Sequence, residues 1–322
     1  SKVFAKNLMK KYGIPTAAYE VFDDMEKALC YVRTAPMPVV IKANGLALGK
    51  GVIIAENRSD AEQAVRSMME EHVFGMSGSS IVVEEFLTGP EVSVLSFTDG
   101  ETVVPMISSM DHKRALDGDR GLNTGGMGTV APNPYYTPEI ADWCMEHIFR
   151  PTIEAMKKEG RTFRGCLYFG LMLTPAGPRV IEYNCRFGDP ETQVVLPLLK
   201  SDLLEIMMAV QSGRLKEISV EFENRSACCV ILASKGYPGK YESGCPLHLP
   251  KAAPDCFIYV AGAKKKDGIL TSAGGRVLGV TAVGDSLPEA IRRAYTVADQ
   301  VDFKNGYCRR DIGKRALKAF EK

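Results

Sequence analysis

The run IEYNCRFGDPE (181–191) sets a carboxylate, an amide and a guanidinium at alternate positions, just after the apolar stretch CLYFGLML. In an extended strand alternate side chains share a face. Glu182, Asn184 and Arg186 would then point one way and Ile181, Tyr183 and Cys185 the other. A carboxylate beside an amide oxygen suits Mg²⁺, which takes one or two carboxylates and completes its shell with phosphate oxygens and water. Arg186 would continue that face towards Asp189, which with Pro190 reads as the cap and first residue of a helix. The plain alternative is a solvated sheet face.

Three further stretches carry candidate chemistry. In VIKANGLALGKGVIIAEN (40–57), Lys42 ends one strand and Lys50 begins the next, with Gly45, Gly49 and Gly51 between them. Bare backbone N–H groups and an ammonium on a glycine turn can approach polyphosphate oxygens closely. The stretch is not a Walker loop, because no G-x-x-x-x-G-K-[ST] can be aligned and a strand follows instead of a helix. A plain hairpin with surface lysines is the alternative. IVVEEFLTGPEVS (81–93) is a strand ending in two glutamates, a hinge whose backbone could read adenine and whose carboxylates could hold ribose hydroxyls; an exposed strand end would look the same. MDHKRALDGDRGLNTGGMG (110–128) sets three consecutive cations, His112, Lys113 and Arg114, beside a glycine-rich loop, an anion clamp in form. GMGTVA within it mimics a dinucleotide fingerprint, but Pro132 and Pro134 forbid the helix that fingerprint requires. A lysine pair, a hinge, an anion loop and a metal strand are together the parts of an ATP-dependent phosphoryl transfer.

The elements that must position these residues follow from the pattern. A helix over 2–12 ends at Gly13, and Asp23 or Asp24 caps a second over DDMEKALCYVR. PVVIKANG and KGVIIAEN form a hairpin, and Ser59 with Glu62 reads as the capping box of the next helix. Residues 108–134 read as a long loop rich in Gly, Asp and Asn, of the kind that is either functional or disordered. A helix from Thr137 to about Glu159 is interrupted near Pro151. CLYFGLML and RVIEYN pair around the turn TPAGP, and SDLLEIMMAVQSG is helical to Gly213. From about 225 onward, short strands with glycine turns and a capped helix at SLPEAIRRAYTVADQ suggest a smaller α+β domain with a strand-rich core.

Composition narrows the classes. Lys+Arg 40 against Asp+Glu 39 gives a formal charge of +1, which removes the footprint of a general nucleic-acid binder. Nine cysteines with no CxxC pair and only four histidines offer no zinc spacing and suggest a reducing, cytoplasmic compartment. No apolar run approaches the roughly 20 residues of a membrane span. The chain begins with Ser1 already inside a helical pattern, so it is expected to be the middle of something longer.

The order VIKANGLALGKGV, EEFLTGPEVS, DHKRALDGDRGLNTGGMG and, above all, RFGDPETQ resembles the ATP-grasp ligases, and within them the phosphoribosylamine–glycine ligase family, down to the closing YCRRDIGKRAL. The resemblance implies an α+β ATP-grasp fold, two α+β subdomains sandwiching ATP, followed by the small C-terminal domain. The expected divisions are 1–20 as linker and start, 21–82 as lid, 83–220 as core with the metal site, and 225–322 as C-terminal domain. It further implies that glycine, phosphoribosylamine and ATP give glycinamide ribonucleotide, ADP and phosphate in a monomer without nucleic-acid or membrane partners. Lys42 and Lys50 would hold ATP phosphates, with Gly51 in the lid turn. Glu84, Glu85, Phe86 and Leu87 would meet adenine and Glu91 the ribose. Arg114 and Asn123 would face the γ-phosphate, and Glu182 and Asn184 would bind Mg²⁺ or Mn²⁺. Arg186, Asp189 and the loop Thr124, Gly125, Gly126, Met127 and Gly128 would lie near glycine and phosphoribosylamine.

Leu122 stands where the family loop commonly has proline, and Pro90 replaces an acidic residue often found before Glu91. The family's N-terminal domain, which helps to form the phosphoribosylamine site, is expected to be missing. An ATP–metal-binding chain without turnover is therefore the alternative to the ligase.

Overall fold

In the computed structural model, which describes residues 1–45, 51–71, 73–251 and 253–321, the chain divides into two units. The first holds 1–90, 139–163 and 169–183, and the second 91–138, 164–168 and 184–322.

The first unit opens with α1 (Lys2–Tyr12), capped by the Ser1 hydroxyl and closed by Gly13 in the left-handed conformation. Strand β1 (Tyr19–Phe22) and helix α2 (Met25–Thr34), capped by Asp24, lead to the expected hairpin of β2 (Val39–Ala43) and β3 (Val52–Ala55). After α3 (Arg58–Met69), β4 (Ile81–Glu85) inserts between β1 and β2, giving the antiparallel order β1-β4-β2-β3. Alternation sends Val39, Ile41, Ile81 and Val83 onto α2 and α3, where Leu29, Val32, Val65 and Met68 complete a core. Truncating Leu29, Ile41, Met68 or Ile81 to Ala would cost about 2–5 kcal/mol. The same alternation turns Lys42 and Glu84 to the opposite face.

The Ser59–Glu62 capping box is corrected. Asn57 is the cap, its side chain accepting from the Asp60 N–H, while Glu62 pairs with Arg33 at 3.2 Å. An earlier Asx cap satisfies the free N–H groups and leaves Ser59 inside the first turn. The helix after residue 137 is α4 (Pro138–Cys144), one π-turn over Met145–Phe149, then α5 (Arg150–Lys158). The break falls just ahead of Pro151, which has no N–H for the regular ladder; the Arg150 N–H reaches back to Met145. Neighbouring strands β11 (Gly165–Thr174) and β12 (Gly177–Asn184) follow, and the division between units passes within β11.

In the second unit β5 (Glu91–Thr98) and β6 (Val103–Pro105) pair around the Asp99 turn, whose carboxylate accepts from the Glu101 and Thr102 N–H groups. Segment 108–134 is not a structureless loop. It holds β7 (Met110–Asp111), the hairpin β8 (Arg114–Leu116) with β9 (Arg120–Asn123), and β10 (Gly128–Ala131). These strands are too short to show alternation in sequence. β10 pairs with β13 (Ser226–Ser234), so the C-terminal strands do not close a sheet alone; with β14 (Cys256–Val260) and β17 (Arg276–Gly284) the order is β14-β17-β13-β10-β7. β13 is covered on both faces. Cys228, Val230 and Leu232 pack with helix α8 (Leu287–Ala298), and Ala227, Cys229 and Ile231 with α6 (Thr192–Val195) and α7 (Leu203–Ser212). That double cover explains the continuous apolar run ACCVILA. The hairpin of β15 (Ala263–Lys266) and β16 (Ile269–Ser272), then β18 (Gly306–Tyr307) against β13 and α9 (Lys314–Leu317), complete the unit.

Asp189 and Pro190 do not open α6, which begins at Thr192. The Asp189 carboxylate instead lies 2.8 Å from Arg276. All nine cysteines are free thiols, and among the described residues no helix is long and apolar enough to cross a membrane.

Candidate active site

In the first unit the polar face of β2 and β4 carries one carboxylate among cations. Both Glu84 oxygens lie 3.0 Å from the Lys42 ammonium, and Oε2 is 2.9 Å from Lys6 Nζ. All three side chains are buried, and Lys42 also donates to the Ile181 carbonyl at 3.0 Å. Burial lowers the Lys6 ammonium to about 8, against the attraction of Glu84. Lys2 donates to the Ala43 and Gly45 carbonyls at 2.8 and 3.2 Å, fixing the entry to the glycine turn. Burial lowers its pKa too, while Glu182 pulls the other way. Sequence reasoning missed Lys2 and Lys6, whose positions in an amphipathic helix carry no sign of the sheet they meet.

Lys42 therefore stands where expected, but with its charge already partnered. The Glu84 carboxylate serves Lys6 and Lys42, so only the backbone of this hinge residue could meet adenine. Glu85 Oε1 accepts from the Ala18 N–H at 2.9 Å, and Phe86 and Leu87 leave the strand, Phe86 exposed. The Gly51 carbonyl accepts from Ala43 at 2.9 Å, whereas Lys50 lies outside the described residues.

At the end of β12 the Tyr183 hydroxyl meets Thr152 at 3.0 Å and its ring meets Phe169, so alternation places Glu182 and Asn184 together on the other face. Both are half-buried, and among the described residues neither side chain has a hydrogen-bond partner. Two hard oxygen donors on one strand face fit a magnesium-type ion that draws its remaining ligands from phosphate and water. Arg186 is corrected: the strand ends at Asn184, and the exposed guanidinium turns to the Phe187 carbonyl at 3.0 Å.

In the second unit Arg114 and Asn123 are direct cross-strand partners of β8 and β9, with the Arg114 guanidinium donating to the Gly121 carbonyl at 2.8 Å. Glu91 pairs with Lys113 at 3.0 Å, and that ammonium holds its carboxyl below the usual range. Thr124 donates its N–H and its hydroxyl to the Lys113 carbonyl, both at 2.8 Å, and its hydroxyl accepts from the Gly126 N–H at 3.0 Å. Gly126 has φ +114°, and a Cβ there would come 2.4 Å from Pro190 and 2.7 Å from Asp111, so only glycine fits. The Met127 side chain is fully buried, and Gly128 is paired with Val230 in β10.

His112 is not a third cation. Burial, with Arg315 and Arg309 nearby, lowers it to about 4. Its Nε2 accepts from the Gly313 N–H at 3.2 Å, which leaves Nδ1 to donate to the Gly128 carbonyl at 3.1 Å.

Sequence reasoning also missed a buried carboxyl pair. Burial pushes Asp111 well up, reinforced by Glu191, and burial raises Glu191 as well. Ser93 lies 2.8 Å from the Tyr168 hydroxyl and donates to Glu191 at 3.4 Å. Both acids sit inside quoted motifs, DHKR and GDPE, yet their burial has no signature in residue type.

The family model of the phosphoribosylglycinamide synthetase ATP-grasp (A) domain matches residues 1–192, and that of the phosphoribosylglycinamide synthetase C domain matches 227–315. The phosphoribosylamine–glycine ligase of Caldanaerobacter subterraneus subsp. tengcongensis is 47% identical over 312 residues, covering 97% of this chain and 75% of the relative. The crystal structure of phosphoribosylamine–glycine ligase from Thermotoga maritima superposes with a TM-score of 0.89 at 40% identity, over 97% of this chain and 78% of that one. A biotin carboxylase from Campylobacter jejuni shares the fold alone, with a TM-score of 0.74 at 16% identity over 94% of this chain and 66% of that one. With its two domain models matched in order and its full motif series present, the chain belongs to the phosphoribosylglycinamide synthetase family of ATP-grasp proteins.

Proposed function

We propose that this chain is an ATP-dependent carboxylate–amine ligase that joins glycine to 5-phosphoribosylamine, giving glycinamide ribonucleotide, ADP and phosphate for purine biosynthesis. The observation that carries this is 47% identity, over 97% of the chain, to a relative named for that reaction. A glycine carboxylate oxygen attacks the γ-phosphorus, ADP departs and a glycyl phosphate forms. The amine nitrogen then attacks the acyl carbon, the bond to phosphate breaks and the nitrogen sheds one proton. No side-chain nucleophile is needed. Catalysis is positioning and charge neutralisation in a site shielded from water.

In this assignment Lys42, held by Glu84, and Lys50 meet ATP phosphates, with Gly51 in the turn between them. Glu85, Phe86 and Leu87 line the adenine and Glu91 the ribose. Arg114 and Asn123, fixed opposite one another, receive the γ-phosphoryl group. Thr124, Gly125, Gly126, Arg186 and Asp189 face glycine and phosphoribosylamine. Mg²⁺ or Mn²⁺, held by Glu182 and Asn184, would neutralise charge on the phosphate oxygens. A monomeric, cytoplasmic enzyme of small molecules is the matching expectation, and the balanced formal charge of +1 agrees with the absence of a nucleic-acid partner.

The test is ADP release with glycine and phosphoribosylamine present or omitted. Release that depends on both supports the ligase. ATP binding without ADP release under any condition would leave the binding-only alternative.

A further inference from the structure

We propose that Arg276 is a positioning residue that locks the 123–126 turn to the 188–190 turn, giving the C-terminal segment control over the acceptor substrates while leaving ATP binding untouched. The proposal rests on the ligase assignment above for the identity of those substrates, but the clamp itself is a matter of geometry.

Arg276 opens β17, whose ladder to β13 anchors its backbone. From there Nη1 donates to the carbonyls of Gly125 at 3.0 Å, Gly126 at 3.4 Å and Asp189 at 2.9 Å, and Nη2 to Asp189 Oδ2 at 2.8 Å. One guanidinium thus joins two motifs far apart in sequence. Its side chain is 19% exposed, while the Asp189 carboxylate it meets is 53% exposed, so the fork is held by its number of bonds and not by exclusion of water. Gly125 is pressed flat against it: a Cβ would lie 2.9 Å from Cζ. On the other side the Gly125 N–H donates to the Tyr237 hydroxyl at 3.1 Å, a second tie from the same C-terminal segment. Arg276 and Tyr237 therefore hold both the N–H and the carbonyl of Gly125.

The Asp189 carboxylate is consumed in this arrangement. Oδ2 faces Arg276 and Oδ1 accepts from Gln193 Nε2 at 2.7 Å, so Asp189 has no bare charge left for a substrate ammonium. Its part is to present the 188–190 turn in a fixed pose. A planar fork with several donors is needed to reach three carbonyls and a carboxylate at once, and a lysine ammonium, a point charge with three donors, cannot do so. A cavity of about 240 Å³ opens beside the pair, lined by Gln193, Tyr237 and Tyr259 among others. It is roomy enough to admit a free guanidinium ion once the side chain is cut back.

The test compares wild type, Arg276→Lys and Arg276→Ala, the last with and without millimolar guanidinium chloride. Two readouts are taken: hydrogen exchange of segments 123–128 and 187–193, and steady-state kinetics in each substrate. Arg276→Ala should exchange faster in both segments. It should lose about 30-fold in kcat/KM for glycine and phosphoribosylamine, as expected for one charge-assisted fork, with KM for ATP within about twofold of wild type. Guanidinium should restore slow exchange and part of the activity, and Arg276→Lys should not substitute. Unchanged exchange in both segments would overturn the proposal, as would an equal loss in all three substrates without rescue. If wild type itself releases no ADP with both substrates, the ligase assignment fails, while the exchange data and their rescue still decide the clamp.

Discussion

Arg114 and Asn123 stand directly opposite one another across the β8–β9 hairpin. A loop that looks unstructured in sequence is thus a two-stranded platform holding two polar side chains at one end. The platform is fastened from below by Arg309, which is 2% exposed. Its guanidinium donates to the Arg114 carbonyl at 3.0 Å and Asp119 at 2.9 Å, and binds both oxygens of Asp311 at 2.8 and 2.9 Å. Gly118 and Arg310 add backbone bonds to Asp311 and Asp117, both at 2.8 Å. The closing YCRRDIGKRAL motif is therefore the foundation of the β8–β9 hairpin.

If Arg114 and Asn123 act on one phosphoryl group, their removal should not be additive. Arg114→Ala and Asn123→Ala should each lower kcat, and the double variant should fall short of their product by about 0.5–3 kcal/mol of coupling. Single-turnover rates of the four proteins in the cycle measure this. Full additivity would place the two side chains on separate tasks.

Glu182→Ala should weaken metal-supported ATP binding by about tenfold or more, equivalent to about 1.4 kcal/mol. Titrating Mg²⁺ and Mn²⁺ at fixed ATP reads this out. Unchanged affinity would remove Glu182 from the metal site.

Glu84→Gln should destabilise the first unit more than Lys6→Met does. Losing the shared carboxylate leaves two buried ammonium groups unpaired, at a cost on the order of 3–5 kcal/mol. Losing Lys6 leaves the Lys42–Glu84 pair at 3.0 Å intact. Denaturant titration of both variants orders them, and the reverse order would refute the three-membered cluster.

His112 supplies a pH dependence whose sign is fixed. The folded-state value is about 4, below the ordinary 6.5, so the unfolded chain takes the proton first. Its contribution is complete above 6.5 and is lost as pH falls towards about 4, a total of about 3 kcal/mol at ~1.36 kcal/mol per pH unit. The imidazole signals should stay neutral, with the proton on Nδ1, through mildly acidic pH in the folded protein. A folded-state titration near 6.5 would contradict the buried assignment.

The fold was legible where a pattern was long and local. The α1, α2 and α7 boundaries follow from capping residues and left-handed glycines, and the β2–β3 hairpin from its glycine turn. What escaped depended on distant partners. β10 is four residues long and becomes a strand only because β13 pairs with it. Asp189 looked like a helix cap because Pro190 follows it, but Arg276, 87 positions away, claims its carboxylate. Within the proposed site, residue type pointed to Glu182 and Asn184, which share a face of β12. It could not separate Lys113, a cation, from its neighbour His112, which burial keeps neutral.

The proposed reaction requires the glycine carboxylate to become an acyl phosphate. Glycine carrying ¹⁸O in both carboxylate oxygens, turned over with ATP and phosphoribosylamine, tests it directly through the mass of the phosphate released. The ligase route predicts that each phosphate carries one labelled oxygen from glycine, with the other retained in glycinamide ribonucleotide. Unlabelled phosphate accompanying ADP would contradict it.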